Sequence, residues 1–200
     1  MKNSFKVSYL TTQPKVANAP SVTITGIPSG SNGYRVVFLE KINNQLIELK
    51  EVLCMTNQTV SAGIKQWYTD WVIQIYDKND NLVHEDIFNP TGKVVFIKMD
   101  AYALGDSIAW IPYVEEFRLK HNCKVICSTF HNHLFVEAYP EIMFVMPNTY
   151  IANVYAQYYI GADNDDNIKY SPIITNRNPL QSVATIALGL KWGEIRPNLK

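Results

Sequence analysis

KVVFIKMDAYALGDSIAWIPYVEEFRLK, residues 93–120, runs from a buried strand through a short turn into an amphipathic helix, and its reading decides the fold class. Val94, Val95, Phe96 and Ile97 form an unbroken apolar run, the pattern of a strand covered on both faces as in parallel sheets. Residues 101–105 turn the chain. From Ser107 onward, Ile108, Ile111, Val114 and Phe117 recur at helical spacing as far as Lys120 and His121. A second strand is expected over Lys124–Ser128. Strand, turn, helix and strand in that order make the βαβ unit with which an open α/β domain begins. Ligands of such domains sit outside the carboxyl ends of the strands, and that is where Asp106 falls.

Beyond this unit the α/β pattern continues. A second helix is expected over 132–138, a third strand over 142–146 ended by Pro147 and Asn148, and a weakly alternating strand over 153–160. Leu180, Val183, Ala184, Ala187 and Leu188 share one helical face, with Gly189 as the stop. Residues 1–90 read differently. Val22–Thr25, Tyr34–Leu39, Leu46–Leu53, Trp71–Tyr76 and Leu82–Phe88 are short runs rich in β-branched and aromatic residues, separated by Gly, Pro, Asn and Asp. Asp77-Lys78-Asn79-Asp80-Asn81 is hairpin chemistry, and Ser29-Gly30-Ser31-Asn32-Gly33 is a second turn or loop. An all-β sandwich or barrel of residues 1–90 therefore precedes an α/β domain of residues 91–200, with Asn89-Pro90-Thr91-Gly92 at the boundary.

Composition narrows the function classes. With 200 residues and 47% hydrophobic content the chain has ample material for a core. Its 18 basic and 18 acidic residues cancel and are scattered, which argues against nucleic acid or an anionic membrane surface as partner. No run reaches the length of a membrane helix, and residues 1–13 lack a secretory apolar segment, so the expected compartment is the cytoplasm. Three cysteines at irregular spacing do not form a disulfide framework, in keeping with a reducing compartment.

Asp106 has two readings. An Asp beside a helix N-terminus is favoured simply because its carboxylate accepts orphan backbone N–H groups. A carboxylate at the carboxyl end of a strand is also placed to act as a general base toward a hydroxyl. Cys123, Cys127, His131 and His133 invite a zinc reading, but four residues of strand separate the two sulfurs by about 13 Å, too far to share an ion. Buried thiols are the alternative, and His131 and His133 follow the second strand toward the same edge as Asp106, where one of them is a candidate to touch substrate. Asp163, Asp165 and Asp166 lack the glycine and glutamate that a calcium loop needs. The turn after the first strand has Gly105 alone in place of three spaced glycines, so no nucleotide cradle is present. Trp67, Tyr68, Trp71 and Tyr76 suit a β core or an interface better than a sugar platform. Edge strands in the β half favour self-association.

The phrase Gly105-Asp106-Ser107-Ile108-Ala109-Trp110, followed by Pro112-Tyr113-Val114-Glu115-Glu116-Phe117, resembles the start of the catalytic domain in the bacterial autotransporter O-heptosyltransferases, cousins of the heptosyltransferases of lipopolysaccharide core. The likeness extends upstream through TDWVIQIYDKNDNLVHEDIFNPTGKVVFIK and downstream through YPEIMFV, NVYAQYYIG, NPLQSVATIALGL and EIRPNL. It implies the glycosyltransferase-B architecture, in which an N-terminal Rossmann-like α/β domain receives the acceptor and a C-terminal one holds the nucleotide sugar. The chain corresponds to the first with its β appendage, so the donor-binding domain is expected outside it. The implied reaction moves heptose from ADP-heptose to serine hydroxyls of an autotransporter passenger, with Asp106 as general base. Gly105 would admit close backbone approach, and Tyr102, Phe130 and Asn132 would line the acceptor side. No cofactor or metal is implied within this chain. Two other readings stand beside this one: a non-catalytic binding or assembly module of the same fold, and an unrelated small α/β enzyme acting through Asp106.

Overall fold

The computed structural model describes residues 3–10, 20–27, 33–63, 67–161 and 179–199. Most of the loop expected over 29–33 and the acidic stretch with Asp163, Asp165 and Asp166 lie outside the described residues. The fold is mixed α/β, and the chain divides into two compact units.

The first unit comprises the described parts of residues 3–63 together with 69–89. It is built from two antiparallel sheets. In one, β1 (Ser4–Ser8), β2 (Ser21–Thr25) and β5 (Gln58–Ser61) lie in the order β1-β2-β5. In the other, β3 (Tyr34–Ile42), β4 (Gln45–Cys54), β6 (Trp71–Tyr76) and β7 (Leu82–Ile87) lie in the order β4-β3-β6-β7. The period-2 alternation of a strand explains the core, since Val22 and Ile24 on β2, Val36 and Phe38 on β3, and Ile73 and Ile75 on β6 are completely buried. The central strand β3 also buries its other face, where Val37 and Leu39 pack with Val72. The β6–β7 hairpin closes as its turn residues demand: the backbone N–H groups of Asn79 and Asn81 both donate to the Asp77 carboxylate, at 2.8 and 2.9 Å.

The second unit comprises residues 67–68, 90–161 and 179–199. Here β8 (Val94–Lys98), β9 (Lys124–Ser128), β10 (Ile142–Val145) and β11 (Ala156–Tyr159) form a wholly parallel sheet in the order β10-β9-β8-β11. Val95, Phe96 and Ile97 are buried, as expected of a central parallel strand. Helix α1 (Leu104–His121) crosses from β8 to β9 and buries Trp110, Ile111, Tyr113, Val114 and Phe117. It ends at Asn122, whose left-handed conformation (φ 46°) lets its N–H reach the Arg118 and Leu119 carbonyls, while Arg118, Lys120 and His121 complement the dipole of the last turn. Helix α2 (Leu180–Leu188) stops at Gly189, also left-handed.

Two local expectations need correction. α1 begins at Leu104 rather than Ser107, so Gly105 and Asp106 belong to its first turn and the connecting turn lies earlier, at 99–103 rather than 101–105. The helix expected over 132–138 is reduced to a single 3₁₀ turn, Asn132–Leu134, closed by Leu134 N–H to His131 O at 3.0 Å. Phe135 and Tyr139 are both buried, four residues apart, but Asn and His are poor helix formers and Pro140 follows, so a tighter and shorter turn wins.

Candidate functional site

Three loops converge at the carboxyl ends of the parallel strands. The first is 99–103 between β8 and α1, the second 129–135 after β9, and the third 146–149 after β10. Backbone bonds carry the sheet pairing beyond the strands into these loops: Met99 N–H donates to Ser128 O at 2.8 Å, and Thr129 N–H donates to Val145 O at 3.2 Å.

Side chains then tie the first two loops together. The Tyr102 and Phe130 rings stack with centroids 4.0 Å apart and planes at 15°, although Tyr102 remains 80% exposed. His131 Nε2 lies 3.0 Å from the Tyr102 carbonyl oxygen. That oxygen can only accept, so Nε2 carries the proton in this contact. The His131 backbone N–H donates to Thr129 Oγ1 at 3.2 Å, and the same hydroxyl lies 3.3 Å from Ser107 Oγ on the first turn of α1. Thr129 and Ser107 are fully buried, so the start of α1 is locked to the end of β9 through a hydroxyl pair.

Asp106 sits beside that lock, half-buried. Its presence in the first helical turn suits the dipole, but Ala103 is the cap residue and α1 has no side-chain cap bond. The capping reading of Asp106 thus has no hydrogen bond behind it. Gly105 precedes Asp106, and a Cβ there would meet nothing within 4 Å, so no packing requirement explains the glycine. Asn132 lies after β9, with Nδ2 3.5 Å from Met146 Sδ and with Oδ1 buried and lacking a partner among the described residues. His133 is exposed and points to no partner that the described residues record.

A second carboxylate was not anticipated from sequence. Asp100 directly follows β8 and the Met99 bond, and its Oδ1 accepts from Ser128 Oγ at 2.7 Å. Its signal in the sequence was an acid three residues past the apolar run, within KMDAY, just beyond the end of a parallel strand.

The cysteines are separated. Cys123 precedes β9 and Cys127 lies within it, both buried and free. Burial pushes the Cys123 thiol up to about 11 and the Cys127 thiol still further, with the Asp100 charge adding to the latter. Neither is a thiolate near neutral pH, and among the described residues no group of three or more His, Cys, Asp or Glu is placed to hold a metal ion. The first unit has a cleft of its own, about 390 Å³, lined by Lys41, Asn43, Asn44, Asp70, Trp71 and neighbours.

No family model matches the chain. Among curated proteins it is 35% identical over 150 residues to the autotransporter heptosyltransferase Aah of Escherichia coli, a match covering 73% of this chain and 38% of that protein. It is 28% identical over 149 residues to the inactive autotransporter heptosyltransferase BimC of Burkholderia thailandensis, covering 70% of this chain and 35% of the relative. The chain therefore spans little more than a third of the length of these relatives. Among solved structures it superposes on the iron-containing dodecameric glycosyltransferase TibC from enterotoxigenic E. coli with a TM-score of 0.75 at 19% identity, covering 96% of this chain and 50% of that one. A second TibC structure, in complex with ADP-D-beta-D-heptose, gives a TM-score of 0.74 at 20% identity.

Proposed function

We propose that this chain, a relative of the autotransporter heptosyltransferases, is the acceptor-side portion of a heptosyltransferase of the glycosyltransferase-B type. Its second unit is read as the Rossmann-like acceptor domain, and its first unit as an all-β appendage of sandwich or barrel form. The observation that carries the reading is Asp106 in the first turn of α1, at the carboxyl ends of a parallel sheet, with no cap bond to occupy it.

In this reading heptose passes from ADP-heptose to a serine hydroxyl of an autotransporter passenger. The serine oxygen forms a bond to the anomeric carbon as the bond from that carbon to the phosphate oxygen breaks, and ADP leaves with the electron pair. The hydroxyl proton goes to the Asp106 carboxylate. Gly105 leaves the backbone open to the acceptor, and the stacked Tyr102 and Phe130 rings with Asn132 form one wall beside it. The nucleotide sugar is held by sequence outside these 200 residues, in keeping with the fraction of the relatives that the chain spans. Among the described residues no cluster of three or more His, Cys, Asp or Glu is placed to hold an iron such as the one the TibC neighbour is named for.

The proposed compartment is the cytoplasm. Among the described residues no helix is long and apolar enough to cross a membrane, and three buried free thiols suit reducing conditions. Self-association is part of the reading, supported by the exposed edge strand β4 and by the dodecameric neighbour.

A non-catalytic module of the same fold is the second reading, favoured by the inactive relative BimC. The two separate on one experiment, in which residues 1–200 are joined to the remaining sequence of the Aah relative and the fusion is incubated with ADP-heptose and a passenger fragment. Addition of heptose, lost in Asp106→Asn, supports the transferase. A folded fusion without transfer supports the module.

A further inference from the structure

We propose that Asp100 is a second substrate-binding carboxylate, oriented by Ser128, that accepts a hydrogen bond from an N–H or O–H group of the acceptor polypeptide beside the reacting serine. This inference rests on the acceptor-side reading above and adds to it a residue that holds the acceptor, as distinct from the one that takes the proton.

Place is the first reason. In the order β10-β9-β8-β11, chain order runs outward from β8 in one direction through β9 and β10 and then reverses to β11. Ligands of open parallel sheets bind where the order reverses, outside the carboxyl ends. Asp100 stands there, just beyond β8. Ile160 N–H donates to Lys98 O at 2.8 Å, so β11 keeps its pairing to the same end of β8.

Orientation is the second reason. Ser128 is 1% exposed, and its single hydroxyl hydrogen is committed to Asp100 Oδ1 at 2.7 Å. Met99 N–H on Ser128 O fixes the backbone on the other side of the same pair. An ionised carboxylate has about four acceptor positions, and Ser128 fills one of them. Among the described residues Asp100 has no other hydrogen-bond or ion-pair partner, and it is only half-buried. The structural alternative, in which Asp100 caps α1, is excluded because the cap residue is Ala103 and no side-chain cap bond is made.

The pair divides the work by geometry. Asp100 is held rigidly by a buried donor, which suits positioning. Asp106 has no such anchor and keeps its acceptor positions for a proton in transfer.

The test uses the 200-residue chain, isotope-labelled, titrated by NMR with a synthetic Ser- and Gly-rich passenger peptide. For the parent chain, shifts at Ala101, Tyr102 and Phe130 are expected. Asp100→Asn should weaken binding by about tenfold, the worth of one charge-assisted hydrogen bond. Ser128→Ala, which keeps the charge but frees its orientation, should weaken it by a smaller factor with the amide spectrum elsewhere unchanged. If Asp100→Asn fails to fold, Ser128→Ala alone decides. Parent binding with both variants within about twofold overturns the role of Asp100 and leaves the acceptor-side reading standing. A parent chain that binds no peptide overturns that reading, and this inference with it.

Discussion

Cys127 shows how strongly one residue can be defined by its surroundings. Its thiol lies on a central parallel strand with no exposed surface, and burial together with the Asp100 charge holds it protonated. Cys123, at the other end of the strand, is raised to about 11 for the same first cause. A thiol whose folded value exceeds its unfolded one contributes stability that is complete below the unfolded value, near 9, and is lost as pH climbs through the folded value. Thermal stability should therefore fall between about pH 9 and pH 11, and fall less in Cys123→Ala. Below that window a thiol reagent should label none of the three cysteines in the folded chain and all of them in denaturant; rapid labelling of Cys123 at neutral pH would contradict its placement. The burial of Cys123 and Cys127 could be read from the strand pattern around Val125. Asp106 could also be read, because it follows an apolar run and a glycine within a phrase shared with a family. The Ser128–Asp100 and Ser107–Thr129 contacts could not, since each joins residues 22 to 28 positions apart whose approach depends on strand register.

At the level of elements, the two ends of the α/β unit give opposite lessons about glycine. Gly189 ends α2 at φ 61°, and a Cβ there would come 2.4 Å from Tyr68 Cδ1, so the turn and the packing both require it. Gly105 lies in the first turn of α1 with open space around its Cβ position. Gly189→Ala should destabilise by about 1–3 kcal/mol through left-handed strain and the displaced ring. Gly105→Ala should leave stability unchanged or raise it by up to about 1 kcal/mol, because alanine is the better helix former. Melting curves of the two variants check this, and equal losses would show that α1 does not begin at Leu104. The end of α2 was visible in sequence, because an apolar face stops against a glycine. The start of α1 was not, since Leu104 and Gly105 carry no start signal. The strands β1 and β5 were missed for a related reason: SFKVS and QTVS are short, half polar, and flank β2 as the two edges of a three-stranded sheet, where one-sided burial leaves little pattern.

For the whole molecule, the mixed α/β architecture followed from the contrast between residues 1–90 and the βαβ run at 93–128, while sheet order and pairing came only with the structure. The first unit leaves β4 as an open edge ten residues long, with Leu46 at 46%, Ile47 at 43% and Leu53 at 59% exposure. Such an edge invites pairing with another copy. Light scattering should report a mass above the 22.8 kDa of one chain, and the double exchange Leu46→Lys and Leu53→Lys should lower it. A parent that stays monomeric at high micromolar concentration would remove self-association from the account. The central claim is that this chain presents an acceptor hydroxyl to Asp106, and the intact mass of a passenger fragment tests it most directly. After incubation with ADP-heptose and the fusion of residues 1–200 to the rest of the Aah relative, the account predicts added heptose, no addition by the 200-residue chain alone, and a rate about a hundredfold or more lower for a folded Asp106→Asn fusion. An Asp106→Asn fusion that transfers heptose within threefold of its parent would contradict it.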